Sequence, residues 1–403
     1  MKKYEIIESL CLRYKEITKY LIDEYLIYYC AELEQLEPAF KRKTNRFRHI
    51  INKMPKGWYA FLLSQYIAYQ LFKEDGYAKK YLSHPAILSR SEEEKNLIKT
   101  YVRYPWRYTF CFVRKSPYPN FFDMIDPFTT ESFLLYSPSI ENISQSHQVT
   151  LYFLLIQFNG SCWETYGPIV DFTSLTISDV LFYARQFRPE ISHIEEIPEV
   201  IENNPIPFSM LHIGANIPLI FHKEKRVVMS RMEFLLDDFV PEEHSDVFEI
   251  EKKKFLYKLS LRGVDGFPDF AAAYYSKNEK SIMLTAMTDY GFDKLTDYFE
   301  ELGYELPFED MERVSPGILH VIEEILGWKI NFIPYEKNFE KKENNISKTD
   351  QKKINKFINK LIEDLNSGVD SDIGLYAEQC ELDKESAFEI AATILSRFNK
   401  TKD

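Results

Sequence analysis

The segments that decide the fold are Tyr108–Arg114, YTFCFVR, and Thr150–Tyr166, TLYFLLIQFNGSCWETY, in the middle of the chain. Both are rich in aromatic and β-branched residues, which pack well on a pleated sheet. In the second segment Asn159-Gly160 separates two apolar runs, and this dipeptide tolerates the positive φ angles of a two-residue hairpin turn. Together the two segments predict an aromatic-rich, largely antiparallel sheet.

The hundred residues before this sheet have helical periodicity. Apolar residues recur at spacings of three and four over residues 3–33, which predicts a long amphipathic helix. Ser91 and Glu94 have the spacing of a capping box and predict that a second helix begins there. Tyr104-Pro105 ends this helix, because a residue that precedes proline disfavours helical backbone angles. We therefore predict an all-helical N-terminal region over residues 1–103.

The rest of the chain has a different organisation. Residues 104–335 contain further β-rich segments and a few helices, and we predict a break between two sub-domains near residues 190–206. Residues 336–353 are polar and without apolar period, as in a linker, and residues 354–403 predict a small helical module. The sequence therefore predicts a mixed α+β fold with a helical region at each end.

Three local predictions in the central region depend on short patterns alone. Phe208–Ile213 and Trp328–Pro334 are runs of apolar and β-forming residues, and each is predicted to be a strand. Ser178 is predicted to cap a helix over residues 179–187, since serine is a favoured N-cap residue.

Composition limits the class of protein. The chain has 403 residues, 31 Phe and 27 Tyr, a charged fraction of 28%, and a net charge of −12, which excludes wholesale disorder and opposes polyanion binding over the whole surface. Its five cysteines form no Cys-x-x-Cys pair, which suits a reducing compartment. The longest apolar run, Val149–Phe158, is too short for a membrane helix, and the N-terminus lacks a signal peptide pattern. We expect a soluble, cytoplasmic protein without a membrane partner.

A basic stretch stands out against this acidic background. Residues 39–57 contain no acidic residue, and beside the stretch Trp58 adds an aromatic ring. Such a stretch can bind phosphate groups, nucleic acid or an acidic protein surface. The predicted contact residues are Lys41, Arg42, Lys43, Arg46, Arg48, Lys53, Lys56 and Trp58.

The alternative interpretation is that these cations form ion pairs with acids of the same chain or are exposed to solvent without a binding role. The pairing candidates are acids between residues 300 and 312. These are Glu300, Glu301, Glu309, Asp310 and Glu312.

Residues that could do catalysis are dispersed. Asp265 and Asp269 lie in a turn-rich loop and are candidate catalytic acids, since loops often carry functional residues. Cys162 follows the predicted hairpin turn and is a candidate nucleophile, although a reactive thiolate favours a helix N-terminus and a nearby histidine. The eight histidines show no metal-ligand spacing, and glycine-rich phosphate loops are missing from the sequence. We therefore predict neither a metal site nor a cofactor.

Three functions remain after these exclusions. The first is a non-enzymatic interaction or regulatory protein, which binds a protein or peptide through an aromatic-rich surface. The second is binding of nucleic acid or phosphate by the basic stretch over residues 41–56. The third is an enzyme of unfamiliar type that uses dispersed acidic residues or Cys162.

Overall fold

The computed structural model describes residues 2–55, 57–143, 150–222, 225–264, 270–339, 348–367, 371–383, 387 and 390–391. These residues form a mixed α+β fold, which confirms the predicted fold class. The chain divides into two compact units, Met1–Pro334 and Tyr335–Asp403. The N-terminal helices and the β-rich region therefore lie in one unit.

A series of helices precedes the first strand. Helix α1 (Lys2–Ile17) continues through a π-helical segment (Thr18–Leu26) into α2 (Ile27–Leu33), which confirms the helix predicted over residues 3–33. The apolar stripe of this continuous helix faces the core, where Leu21 and Ile22 are fully buried. The other helices are α3 (Leu36–Thr44), α4 (Arg48–Ile51), α5 (Trp58–Phe72), α6 (Ala78–Tyr81), α7 (Pro85–Leu88) and α8 (Glu92–Arg103).

The capping box predicted for α8 is present. The Ser91 hydroxyl accepts the Glu94 N–H at 3.3 Å, and the Glu94 carboxylate accepts the Ser91 N–H at 2.9 Å. These two bonds satisfy donors that the first turn of a helix leaves without partners. The helix ends at Arg103, directly before Tyr104-Pro105, as predicted.

The first β structure is a closed five-stranded barrel. Its order is β1-β2-β3-β5-β4, and every pair is antiparallel except β3 with β5. A hairpin joins β4 to β5 at Asn159-Gly160, as predicted, but Phe158 pairs with Trp163, so residues 159–162 form the connection instead of a two-residue turn. Gly160 has a φ of +95°, whereas Asn159 does not have a positive φ. The strands are β1 (Arg107–Tyr118), β2 (Phe121–Ile125), β3 (Ser132–Tyr136), β4 (Leu151–Phe158) and β5 (Trp163–Phe172).

Alternate residues of the barrel strands belong to different cores. On β4, Phe153 and Leu155 pack against the N-terminal helices, whereas Leu154 and Ile156 pack with Met124 and other residues of the barrel itself. Both faces of β4 are therefore buried, which explains why its sequence is a continuous apolar run rather than an alternating one.

The second β structure is an antiparallel sheet. Its order is β12-β7-β11-β10-β9-β8, and β6 pairs with β7. Helix α13 (Asp289–Glu301) packs on one face, where Leu295 and Phe299 are fully buried. The strands are β6 (Phe221–His222), β7 (Lys225–Leu235), β8 (Phe248–Lys253), β9 (Leu256–Leu261), β10 (Ala271–Ser276), β11 (Ser281–Thr288) and β12 (Glu312–Val314).

Further helices complete the first unit. They lie after β3, between the two β structures and after β12. They are α9 (Pro138–Ile143), α10 (Ile177–Arg185), α11 (Ile197–Asn203), α12 (Pro205–Met210) and α14 (Pro316–Leu326).

The strand predicted at Phe208–Ile213 is wrong. These residues lie in α12 and in a 3₁₀ turn, Leu211–Gly214. Pro205 stands at the first helical position, where its fixed φ favours a helix and its missing N–H costs nothing. All of α12 is buried, so its sequence has no polar face from which a helical period could be recognised.

The strand predicted at Trp328–Pro334 is also wrong, and the segment is irregular. The edge of β7 beside it is taken by β12, in which Glu312 lies opposite Arg231. The Arg231 side chain donates to the carbonyl of Phe332 at 3.0 Å, so this backbone group is satisfied without a strand partner.

The second unit contains α15 (Lys348–Ser367) and α16 (Ile373–Gln379). Phe357 and Leu361 of α15 pack with Ala377 of α16 and with Cys380 in a small apolar core. The predicted linker, residues 336–353, ends too late, because residues 348–353 already belong to α15; residues 340–347 lie outside the described residues. No helix in the described part of the chain has the length and apolar character that crossing a membrane requires.

Candidate binding sites

The basic stretch forms α3, a 3₁₀ turn (Asn45–Phe47) and α4. Phe40, Thr44, Phe47 and Ile50 face inward and are buried. Because these inward positions recur every three or four residues, the side chains between them face solvent. We call the exposed set Lys41, Arg42, Lys43, Arg46 and Arg48 the basic helical surface.

Two cations of the stretch have acidic partners. Lys41 lies 2.9 Å from Glu37, and Lys53 lies 2.6 Å from Glu324. None of the acids named as pairing candidates contacts the stretch in the described structure, and Glu312 pairs instead with Arg231.

The arginines of the stretch and Lys43 differ from Lys41 and Lys53 in their ion pairing. Arg42, Lys43, Arg46 and Arg48 form no ion pair with a described residue, and Lys56 lies outside the described residues. Four neighbouring cations are therefore exposed without an acidic partner in the described part of the chain.

Two clefts lie beside the basic helical surface. A cleft of about 450 Å³ separates it from α5 and residues 202–207, and its walls include Arg42, Lys43, Arg46, Lys73, Asn203 and Asn204, with Glu202 as a single acid. A second cleft of about 600 Å³ is lined by Lys41, Arg48, Asn45 and Asn52, among others. The cations thus line two adjacent depressions rather than one closed pocket.

The aromatic rings near the stretch pack within the protein. Phe40 and Phe47 are buried, and Trp58 stacks on His212 with ring centroids 4.2 Å apart. The guanidinium of Arg46 lies 4.5 Å from the centre of the Phe47 ring. These rings stabilise the fold of the stretch, and none of the three stands free for stacking on a base.

Cys162 lies in the β4–β5 connection and is buried. Its Sγ is 3.5 Å from that of Cys11, and the side-chain amide of Asn159 donates to both sulfurs at 3.2 and 3.5 Å. The hydrogen bond with Cys162 and burial raise the pKa of the Cys11 thiol well above its usual range. Cys162 directly precedes strand β5 and does not begin a helix, and its role as a nucleophile stays a prediction.

The other predicted catalytic residues, Asp265 and Asp269, lie outside the described residues. Within the part of the chain that the structure describes, no group of three or more His, Cys, Asp or Glu residues is arranged to hold a metal ion.

A further site was not predicted from the sequence. A cavity of about 700 Å³ lies between the first helix, α5 and the β3–β5 side of the barrel, and we call it the barrel-side cavity. Its walls include Asp23 of the π-helical segment, Gln157 of β4, and Glu164 and Tyr166 of β5. The Tyr166 hydroxyl donates to the Asp23 carboxylate at 2.7 Å.

Four carboxyl groups line this cavity: those of Glu16 and Glu24 are exposed, that of Asp23 is half-buried and that of Glu164 is buried. Glu164 is only 7% exposed, and burial raises the pKa of its carboxyl to about 7, although hydrogen bonds from Asn159 and Cys11 favour the charged form. Burial also raises the pKa of Asp23, against the hydrogen bond from Tyr166. A carboxyl group with a pKa near 7 is partly protonated at neutral pH, so Glu164 can either donate or accept a proton there.

One signal in the sequence points to this site. Gln157 and Glu164 are polar residues on either side of Asn159-Gly160 and fall on the same face of a hairpin, although the predicted two-residue turn sets Gln157 opposite Cys162 and only the observed register sets it opposite Glu164. Asp23 gives no comparable signal, because it lies more than a hundred residues away and approaches them only in the folded chain.

Comparisons with known proteins give no relative from which a function could be transferred. Neither a protein-family model nor a curated protein nor a solved structure matches this chain.

Proposed function

We propose that this protein binds nucleic acid through the basic helical surface. The observation that carries the proposal is the set of four neighbouring cations, Arg42, Lys43, Arg46 and Arg48, exposed without an acidic partner among the described residues. Phosphate contacts supply most of the sequence-independent affinity for nucleic acid. The net charge of −12 on the whole chain repels polyanions elsewhere and so favours this surface.

The arrangement of the cations favours a chain of phosphates over a single phosphate group. Arg42, Lys43 and Arg46 line one cleft, whereas Lys41 and Arg48 line the other, so an extended polyanion can contact both. Since Trp58 is stacked on His212 and Phe47 is buried, base stacking has little part in the contact. We therefore expect binding that depends weakly on base sequence.

The triple variant Arg42→Glu, Arg46→Glu and Arg48→Glu is expected to lose binding to a fluorescein-labelled 20-mer DNA duplex or single-stranded RNA, measured by fluorescence anisotropy. For the wild type, neutralisation of about four phosphates predicts roughly 100-fold weaker duplex binding at 200 mM than at 50 mM salt. The physical reason is that each neutralised phosphate releases a condensed counterion.

A matched control separates local contact from net charge. Lys99, Lys277 and Lys294 are exposed, lie on other elements and form no ion pair with a described residue. Reversal of these three to glutamate changes the net charge by the same amount and should leave the affinity within about threefold of wild type. Equal losses in both variants, or retained affinity in the first, would refute the proposal.

A protein partner bound through exposed apolar side chains is the second candidate function. Leu235 is 79% exposed at the end of β7, and Phe255 is 58% exposed in the β8–β9 turn. The strand registers place both at the same end of the second sheet, beside the Lys277–Lys280 turn. A pull-down from the native cell with and without nuclease distinguishes the candidates, because only a directly bound protein survives the treatment.

A further inference from the structure

The barrel-side cavity has a polar floor. Gln157 and Glu164 are 5% and 7% exposed, and they lie directly opposite each other on β4 and β5. Side chains of a directly opposed pair project from the same face of a sheet, and both line the cavity. The floor is therefore built from two rigid strands of a closed barrel.

The Gln157 side chain has an unused acceptor. Its Oε1 atom is buried and has no hydrogen-bond partner among the described residues. A buried polar atom without a partner costs about 1–3 kcal/mol, so a hydrogen-bond donor that enters the cavity gains affinity here. This atom is independent of the carboxyl groups and itself indicates a ligand that donates a hydrogen bond.

The carboxylates of Asp23 and Glu164 favour a donor that carries a positive charge. Asp23 and Glu164 both line the cavity, and neither forms an ion pair with a described residue. Lys15 and Lys19, which also line it, are exposed at its rim. A cation within the cavity therefore meets the buried carboxyl of Glu164 and the half-buried carboxylate of Asp23, and it shares the field of Glu164 with Lys15. The described residues offer no arrangement for a metal ion, which leaves an organic cation.

The mouth of the cavity combines charged side chains with three apolar ones. Leu12, Tyr28 and Phe61 line it and are 52%, 72% and 56% exposed. These side chains can cover the hydrocarbon part of a ligand, and an aromatic ring also attracts a nearby cation. The volume of about 700 Å³ lies within the range of sites for small organic molecules.

We propose that the barrel-side cavity binds a small organic molecule that carries a protonated primary amine on an aromatic or aliphatic body. The amine donates to Gln157 Oε1 and to the carboxylates of Glu164 and Asp23, and the body lies against Leu12, Tyr28 and Phe61. This site uses residues separate from the basic helical surface, so the proposal does not depend on nucleic-acid binding.

The test uses 4-phenylbutylamine and its neutral analogue 4-phenylbutanol, with binding to the full chain measured by isothermal titration calorimetry at pH 8. The amine should bind at least about 10-fold more tightly than the alcohol, because a hydrogen bond to a charged group contributes about 1.5–3 kcal/mol. The substitutions Glu164→Gln and Gln157→Leu should each weaken amine binding by about 10-fold or slightly less. Asp23→Asn gives a further variant in case one of these two fails to fold.

The exposed acid Glu300 on α13 serves as the control, and Glu300→Gln should leave the affinity unchanged. Equal binding of the amine and the alcohol, no binding of the amine, or unaltered binding to all cavity variants would overturn the proposal. A third probe, Nα-acetyl-lysine amide, represents a lysine side chain of another protein, which is a second source of such an amine. If it binds more than tenfold tighter than 4-phenylbutylamine, a protein lysine side chain replaces the small molecule as occupant and the proposal is wrong.

Discussion

The substitution Asp179→Ala is expected to lower the free energy of unfolding by about 3–4 kcal/mol, measured by urea denaturation. Asp179 is fully buried, and its carboxylate accepts the N–H of Thr176 at 2.9 Å and the N–H of Ser315 at 2.7 Å. It also accepts the hydroxyls of both residues. Alanine removes the acceptor for two backbone donors at once and removes half of the capping box of α10.

Ser178 provides the matched control, because it is adjacent in sequence and was the residue predicted to cap this helix. That prediction is wrong: the N-cap is Thr176, whose hydroxyl accepts the Asp179 N–H at 3.3 Å. Ser178→Ala removes one hydrogen bond, that between the Ser178 and Thr176 hydroxyls at 3.0 Å, and should therefore lower the stability by about 1 kcal/mol at most. Comparable losses for the two variants would contradict the structural role assigned to Asp179.

A shift from pH 5 to pH 8 is expected to destabilise the wild type relative to Glu164→Gln by about 2–3 kcal/mol. The Glu164 carboxyl has a pKa of about 7 in the folded protein and 4.5 as a free side chain, because the folded protein buries it. The folded state therefore holds its proton to higher pH than the unfolded state. The resulting stability is fully present below pH 4.5 and is lost as the pH rises through about 7.

Urea denaturation of both proteins at several pH values gives the difference directly. Glutamine keeps the size of the side chain and its acceptor for Asn159, but it does not titrate. The contribution of Asp23, whose pKa burial also raises, remains in both proteins and cancels from the difference. A difference that is constant between pH 5 and pH 8 would show that Glu164 titrates normally in the folded chain.

Local sequence patterns predicted those elements whose signals are complete within a few residues. The capping box at Ser91 and Glu94 and the Tyr104-Pro105 stop depend on neighbouring side chains and backbone geometry, and both are present. The hairpin at Asn159-Gly160 is also present, but its connection is longer than the predicted two residues. The long N-terminal helix was also correct, since one polar and one apolar face leave a clear period.

The two wrong strand predictions depend on local sequence signals that tertiary contacts override. Helix α12 is buried on all sides, so its apolar sequence resembles a strand. Residues 328–334 contain strand-forming residues, but β12 takes the adjacent sheet edge and the Arg231 side chain satisfies the Phe332 carbonyl. This outcome could not be identified without the fold, because the contested edge and Arg231 belong to β7, and Arg231 lies 101 residues before Phe332.

The sequence by itself determined the fold class, the positions of the long N-terminal helix, of α8 and of the β4–β5 hairpin, and the concentration of cations in residues 39–57. Only the tertiary structure decided which of those cations meet acids, and which polar residues from distant segments line one cavity. The physical reason is the distance along the chain over which each interaction acts. Periodicity, capping and turn geometry act over a few residues, whereas ion pairs and burial depend on atoms that folding brings together, such as Asp23 with Tyr166 and Lys53 with Glu324.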